Sequence, residues 1–241
     1  MVIPSLITEG TFQAAWLTAA RRVMAAGWDT WNLAVHIENP SEFSEEFNEH
    51  IEDFANRNDM LGPKHVCYTI FPYNLYEASN NRADFYSSYN DRFFPRTQRH
   101  LRNWGTYFHR MIAYRSTHAP VNQLENIINA INDRTATAKA AYTIVVERPG
   151  SETVRKMGAP CLNYIAVQSE PGTPRRIGLL AVYRNHDFLE RAYGNYWGLC
   201  RLLAFICNET DSTIGPVTCI SSHAYVPDKR TAFRIFIQGL A

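Results

Sequence analysis

At 241 residues, with 24 basic against 23 acidic side chains and a formal charge of +1, the chain is long enough for one well-buried core and carries no broad electrostatic footprint for a nucleic-acid polymer or an anionic membrane. The five cysteines, Cys67, Cys161, Cys200, Cys207 and Cys219, form no Cys-x-x-Cys pair, which argues against a disulfide framework or a zinc site and for a reducing, cytoplasmic home. Met1-Val2-Ile3-Pro4 opens no secretory signal and no stretch reaches ~18 uninterrupted apolar residues, so a soluble single domain over residues 1–241 is expected.

From Glu9 to Gly27, Phe12, Ala15, Trp16, Ala19, Val23 and Met24 recur at three- and four-residue spacing, which predicts an amphipathic helix stopped by Gly27. Trp28 to Ile37 alternates as a strand does, and the acidic run from Ser41 to Arg57 reads as a solvated helix face. His65 to Phe71 is β-branched and aromatic with Pro72 after it, and predicts a strand or its edge. Asn80 to Thr97 is polar with many tyrosines and phenylalanines; helix and loop both fit, and its aromatics from Tyr86 to Phe94 read as core or subunit contact. Leu124, Ile127, Ile128 and Ile131 share one helical face after Pro120.

Three strands are predicted next, Ala140 to Val146, Leu162 to Gln168 and Ile177 to Tyr183, with a Pro/Gly turn making the last two antiparallel. Asp187 to Asn208 is apolar around most of its circumference, as in a buried helix that takes Cys200 and Cys207 as small core residues. Val217 to Tyr225 and Ala232 to Ile237 are predicted to close the chain as strands. The order of elements predicts an α+β fold, helices packed on one face of a mixed sheet. The histidines lack metal-ligand spacing, so no metal is expected.

The chemistry gathers in the last third. Cys161 follows Pro160 at the start of one predicted strand and Arg184 ends the next, so both reach one end of the sheet. A guanidinium there can hold a phosphate in a fork and stabilise a neighbouring thiolate, the form of cysteine that attacks. Such a thiolate suits pyrimidine chemistry, because carbon 5 is a poor nucleophile until something adds to carbon 6.

Pro160-Cys161, Tyr183-Arg184-Asn185-His186-Asp187, Asn195 and His223-Ala224-Tyr225 resemble in order the Pro-Cys, Gln-Arg-Ser-x-Asp, Asn and His-x-Tyr motifs of the thymidylate synthase family. The interval from Arg184 to Asn195 matches without a gap, and Asn122-Gln123-Leu124 and Asn103-Trp104-Gly105-Thr106-Tyr107-Phe108 resemble two upstream segments. The resemblance runs from about Trp104 to Tyr225 and implies a thymidylate synthase-like homodimer. It implies Cys161 as nucleophile, Arg184 as phosphate ligand and thiolate partner, Asn185 beside it, Asn195 reading the base, and His223 and Tyr225 on the sugar hydroxyl. Asp187 and Trp104 would serve the cofactor, 5,10-methylenetetrahydrofolate. An Asn at the base-reading position suits uracil, since an amide can serve both groups of an imide edge.

Departures from the pattern accompany these matches. Trp28-Asp29-Thr30-Trp31 holds no cation where the family has a phosphate-binding arginine loop, and Ala138-Lys139 stands where a partner subunit's arginine pair is usual. The catalytic glutamate has Glu77 as its nearest counterpart, Leu162 follows the nucleophile where His is usual, and Glu190-Arg191 replaces a small residue beside the folate. Only a short tail follows Tyr225, which favours water over hydride as the final reactant, hydroxymethylation over methylation. The competing reading is a nucleotide-binding or regulatory homologue that kept Cys161 and Arg184 and lost turnover.

Overall fold

A computed structural model describes residues 5–98, 104–116, 119–133, 139, 141–148, 150, 152 and 159–240. Of the positions singled out above, Met1 to Pro4, Asn103, Ala138 and Ala140 lie outside them.

The chain begins with β1 (Ser5–Glu9) and α1 (Phe12–Ala25), whose first turn is capped by the Thr11 hydroxyl accepting from the Ala14 N–H. Gly27 and Trp28 both take positive φ, 84° and 77°, and turn the chain from α1 into β2 (Asp29–Ile37). The acidic segment forms α2 (Glu45–Arg57), capped by Ser44. α3 (Pro63–Ile70), α4 (Tyr73–Glu77) and α5 (Arg82–Ser88) follow, then a π-turn over Tyr89–Phe93, α6 (Phe94–Gln98) and α7 (Tyr107–Ile112). The long isoleucine helix is α8 (Gln123–Asn132). Thereafter come β3 (Tyr142–Val145), β4 (Leu162–Glu170), β5 (Arg176–Tyr183), β6 (His186–Asp187), α9 (Ala192–Glu209), β7 (Thr213–Tyr225) and α10 (Arg230–Gly239).

The strands make one mixed sheet in the order β1-β2-β7-β5-β4-β3, with β6 continuing alongside β7. β7 runs parallel to β5 and β6 and antiparallel to β2, while β4 is antiparallel to β5 as the turn between them requires. Helices cover one face. There Leu33, Val35, Ile165, Leu179, Ala181, Val217 and Cys219 are fully buried and join α1 and α9 in one hydrophobic cluster. The other face presents a row of partly exposed side chains across neighbouring strands, Leu6, Ala34, Ile220, Val182, Tyr164 and Val145.

Two expected strands are helices. His65 to Phe71 lies largely in α3, started by Pro63 at its first turn, because Val66, Cys67 and Ile70 are more useful on one helical face, where they pack on Gly194 and Gly198 of α9. A β-carbon at Gly194 would stand 2.6 Å from the Pro63 carbonyl oxygen and 2.6 Å from Val66 Cβ, so the two helices touch through bare backbone. This packing overrides β propensity. Ala232 to Ile237 falls within α10; its alternation of Phe233, Ile235 and Ile237 suits a strand, yet Phe233 and Ile237 are buried four apart while Ile235 faces solvent. The expected helix from Asp187 starts later, at Ala192, because the Asp187 carboxylate takes the N–H groups of Leu189 (2.8 Å) and Glu190 (3.2 Å) in a turn. The aromatic run contributes to the core through Tyr86, Tyr89 and Phe94.

Candidate functional site

Cys161 immediately precedes β4 and Arg184 immediately follows β5, and the two are joined directly: the Arg184 N–H donates to the Cys161 carbonyl at 2.9 Å. Leu162 is in register with Tyr183, and Tyr183 with Ser221, so β4 starts and β5 ends at one level beside β7, which runs on to Tyr225. Cys161 is half-buried and the Arg184 guanidinium has no hydrogen bond or ion pair among the described residues. All five cysteines are free thiols. Burial pushes Cys67 up to about 12 and Cys200, Cys207 and Cys219 upward as well, which leaves them inert packing groups.

Tyr107, the first residue of α7, is buried against the Cys161 segment. Burial pushes its phenol up, and the backbone N–H groups of Leu162 and Cys161 oppose that only in part. Aromatic contacts run from it in both directions, to Trp104 (4.9 Å between centroids) and to Tyr183 (6.5 Å), and Tyr183 lies face to face on His186 at 4.1 Å and 3°. Among the described residues, the Trp104 indole N–H and the Tyr183 hydroxyl are buried without hydrogen-bond partners. Behind Trp104, the fully buried Arg110 grips Glu152 in a fork at 2.6 and 2.7 Å and donates to the Val146 and Trp104 carbonyls, tying α7 to the chain that leads toward Cys161.

Asn195, in the first turn of α9, is 3 % exposed. Its amide nitrogen lies 3.1 Å from His186 Nε2, and His186 Nδ1 lies 2.8 Å from the Ser221 hydroxyl. The Asn195 Oδ1 atom is buried with no hydrogen-bond partner among the described residues. Burial holds His186 down to about 3, so the ring is neutral.

A second histidine sits on the exposed side. His223 Nδ1 is 2.7 Å from Asn185 Oδ1 and its Nε2 is 2.7 Å from the Asp29 carboxylate, with the ring parallel to Tyr225 at 5.2 Å and tilted against Trp31 at 4.4 Å. Asp29 thus brings a negative charge to the His223 side of the site, from a segment in which the sequence shows no cation.

Asp187 ends β6 ahead of α9, and burial raises its carboxyl against the opposing N–H groups of Glu190 and Leu189. Glu190 is committed to the Leu61 N–H and to Arg191. Glu77 is exposed on α4, accepting from the Tyr73 hydroxyl. The carbonyl of Lys139 accepts from the Ser169 N–H, eight residues along β4 from Cys161 and so roughly 25 Å away at ~3.3 Å per residue. Within one chain it does not meet the site. Sequence reasoning gave no role to Tyr107, Tyr183, His186, Ser221 or Asp29, although Tyr107, Tyr183 and His186 lie within the segments that carry the resemblance.

A surface depression of about 810 Å³, lined by Gln13, Phe43, Phe47, His50 and Leu240 among others, lies away from these residues. Among the described residues no three His, Cys, Asp or Glu side chains gather as for a metal ion, and no helix is long and apolar enough to cross a membrane.

No family model matches the chain. It is 24 % identical over 151 residues to a putative thymidylate synthase of Methanosarcina barkeri (strain Fusaro / DSM 804), a match that covers 63 % of this chain and 57 % of that protein. The chain thus spans little more than half of that relative. The mixed sheet with helices on one face and this partial similarity support a divergent relationship to the thymidylate synthase and pyrimidine nucleotide hydroxymethylase superfamily.

Proposed function

We propose that the protein is a single-domain enzyme that transfers a one-carbon unit to carbon 5 of a pyrimidine nucleotide, methylating or hydroxymethylating a uracil-type base through a cysteine adduct at carbon 6. The observation that carries this reading is the junction of Cys161 and Arg184 at one sheet end, with Tyr107 beside the cysteine and Asn195 on the adjoining helix. Arg184, free of ion pairs among the described residues, binds the phosphate and favours the thiolate. The thiolate adds to carbon 6, carbon 5 becomes nucleophilic and later loses its proton, and the C–S bond breaks to release the cysteine. His223, Asn185 and Tyr225 face the sugar, and Asn195 reads the base edge.

A methylene folate fits the donor set in part. Asp187 keeps one carboxylate oxygen clear of the Leu189 and Glu190 N–H groups, and Trp104 has a buried indole N–H without a partner. When bound, 5,10-methylenetetrahydrofolate supplies the one-carbon unit. Pairing of two copies through the apolar row from Leu6 to Val145 supports a homodimer, and is the arrangement in which Lys139 can serve a partner's site. Five free thiols support a cytoplasmic location.

A second reading, ligand binding without turnover, is favoured by one observation: the Asn195 carbonyl oxygen is buried in the unliganded protein. Release of tritium from carbon 5 of uridine and cytidine monophosphates, in ribo and deoxy form, separates the two. Exchange that disappears in Cys161→Ala supports the enzyme; nucleotide binding with no exchange from any of them would falsify it.

A further inference from the structure

The environment of His186 goes beyond packing. The ring is 1 % exposed, clamped face to face by Tyr183 and edge-on by Phe188 and Tyr196, so it cannot turn. Both ring nitrogens are engaged, at 2.8 Å with the Ser221 hydroxyl and at 3.1 Å with the Asn195 amide nitrogen. An amide nitrogen only donates, so Nε2 is the bare acceptor and Nδ1 carries the proton that goes to Ser221. Ser221 is itself fully buried on β7, which holds the far end of the relay.

The geometry points to His186 as a positioning residue that fixes which way round the Asn195 amide presents its oxygen and nitrogen, and thereby which pyrimidine edge the site accepts. A free asparagine amide can rotate by half a turn and exchange its donor for its acceptor. Uracil offers a ring N–H beside a carbonyl, and cytosine a bare ring nitrogen beside an amine, so a rotating amide serves both. With Nδ2 held on His186, one order of donor and acceptor remains. The acceptor is Oδ1, the atom buried without a partner, and it matches the uracil ring N–H while one hydrogen of Nδ2 is left for the carbonyl. Cytosine meets acceptor against acceptor. A fixed amide of this kind discriminates about 10- to 100-fold, as bidentate edge contacts do. The inference rests on the proposed reading of Asn195 as the group that meets the base.

Two measurements on the full chain test it. Nitrogen-15 spectra of the unliganded protein report the His186 tautomer without any substrate; a proton on Nδ1 is expected, and a proton on Nε2 or a charged ring would overturn the proposal. Affinities for uridine and cytidine monophosphates are then compared in wild type, His186→Phe, Ser221→Ala and Ser221→Thr. Uracil preference should shrink to within about threefold in His186→Phe and Ser221→Ala and return in Ser221→Thr, which restores the hydroxyl. If either correctly folded variant that breaks the relay keeps the wild-type preference, the positioning role is wrong. If neither nucleotide binds the wild type, the functional reading falls and the base-selecting role falls with it, a result distinct from an altered tautomer.

Discussion

The two histidines at the end of the β5–β7 pair occupy opposite environments. His186 is sealed among rings and held by two neutral partners, Ser221 and Asn195, whereas His223 is partly open to solvent and lies between an amide and the Asp29 carboxylate. Water screens and competes on the His223 side, so what binds there is gripped loosely and tolerantly. On the His186 side the ring and the Asn195 amide are held before a ligand arrives, and a wrong partner leaves a buried polar atom unpaired. On the proposed reading, discrimination falls to the closed side and capture to the open one.

Substitutions can break that division. Cys161→Ala sits where the two sides meet and should abolish carbon-5 exchange, by roughly a thousandfold or more, with nucleotide binding retained; tritium release beside calorimetric titration reads both. Gly194→Ala drives a β-carbon into Pro63 and Val66 one residue from Asn195, and should cost about 1–3 kcal/mol in denaturant unfolding while weakening base preference more than phosphate binding.

The pH dependence of stability sharpens the contrast. His186 is lowered from 6.5 to about 3 by burial, so its contribution is complete above about pH 6.5 and is lost as pH falls toward 3. One such group steepens the stability profile by up to about 1.4 kcal/mol per pH unit in that window. His186→Phe should flatten it, and His109, lowered to about 4 chiefly by burial, stays as an internal reference. The smallest effect is expected on the open side: Asp29→Asn should change stability by no more than about 1 kcal/mol, and should tighten phosphate-bearing ligands in a salt-dependent way. An unaltered salt dependence of nucleotide affinity in that variant would place the phosphate away from Asp29.

Much of this arrangement was legible in the sequence because it depends on local spacing. The three-and-four periodicity of α1 and α8 and the turn between β4 and β5 fix those elements, and the antiparallel return puts Cys161 beside Arg184 whatever surrounds them. α3 and α10 were misread because their short apolar runs fit either period, and their helical form follows from distant partners, the glycines of α9 for one and Trp16 with Phe54 for the other. The pairing of His186 with Asn195 and of His223 with Asp29 is set by side-chain direction at strand ends, which residue spacing does not encode. Glu77 is a carboxylate at a suggestive position in the sequence whose side chain is exposed on α4.

The hydrogen bonds of the two histidines also span very different lengths of chain. Those of His186 reach partners 9 and 35 residues away, inside the run of β5, β6, α9 and β7, while His223 meets Asp29 across 194 residues. On the proposed reading, the discriminating half of the site can therefore assemble from one contiguous stretch, as can the His223–Asn185 pair, but the Asp29 contact of the capturing half exists only when the first strand pair has come home to the last. Each doubling of a loop adds only about 0.6 kcal/mol to its closure, yet distant contacts are made late in folding. The amides from Asp29 to Leu33 should exchange with solvent through openings that leave Leu199 to Ile206 protected, and the protein would lose its hold on a ligand before it loses its sense of which ligand it holds.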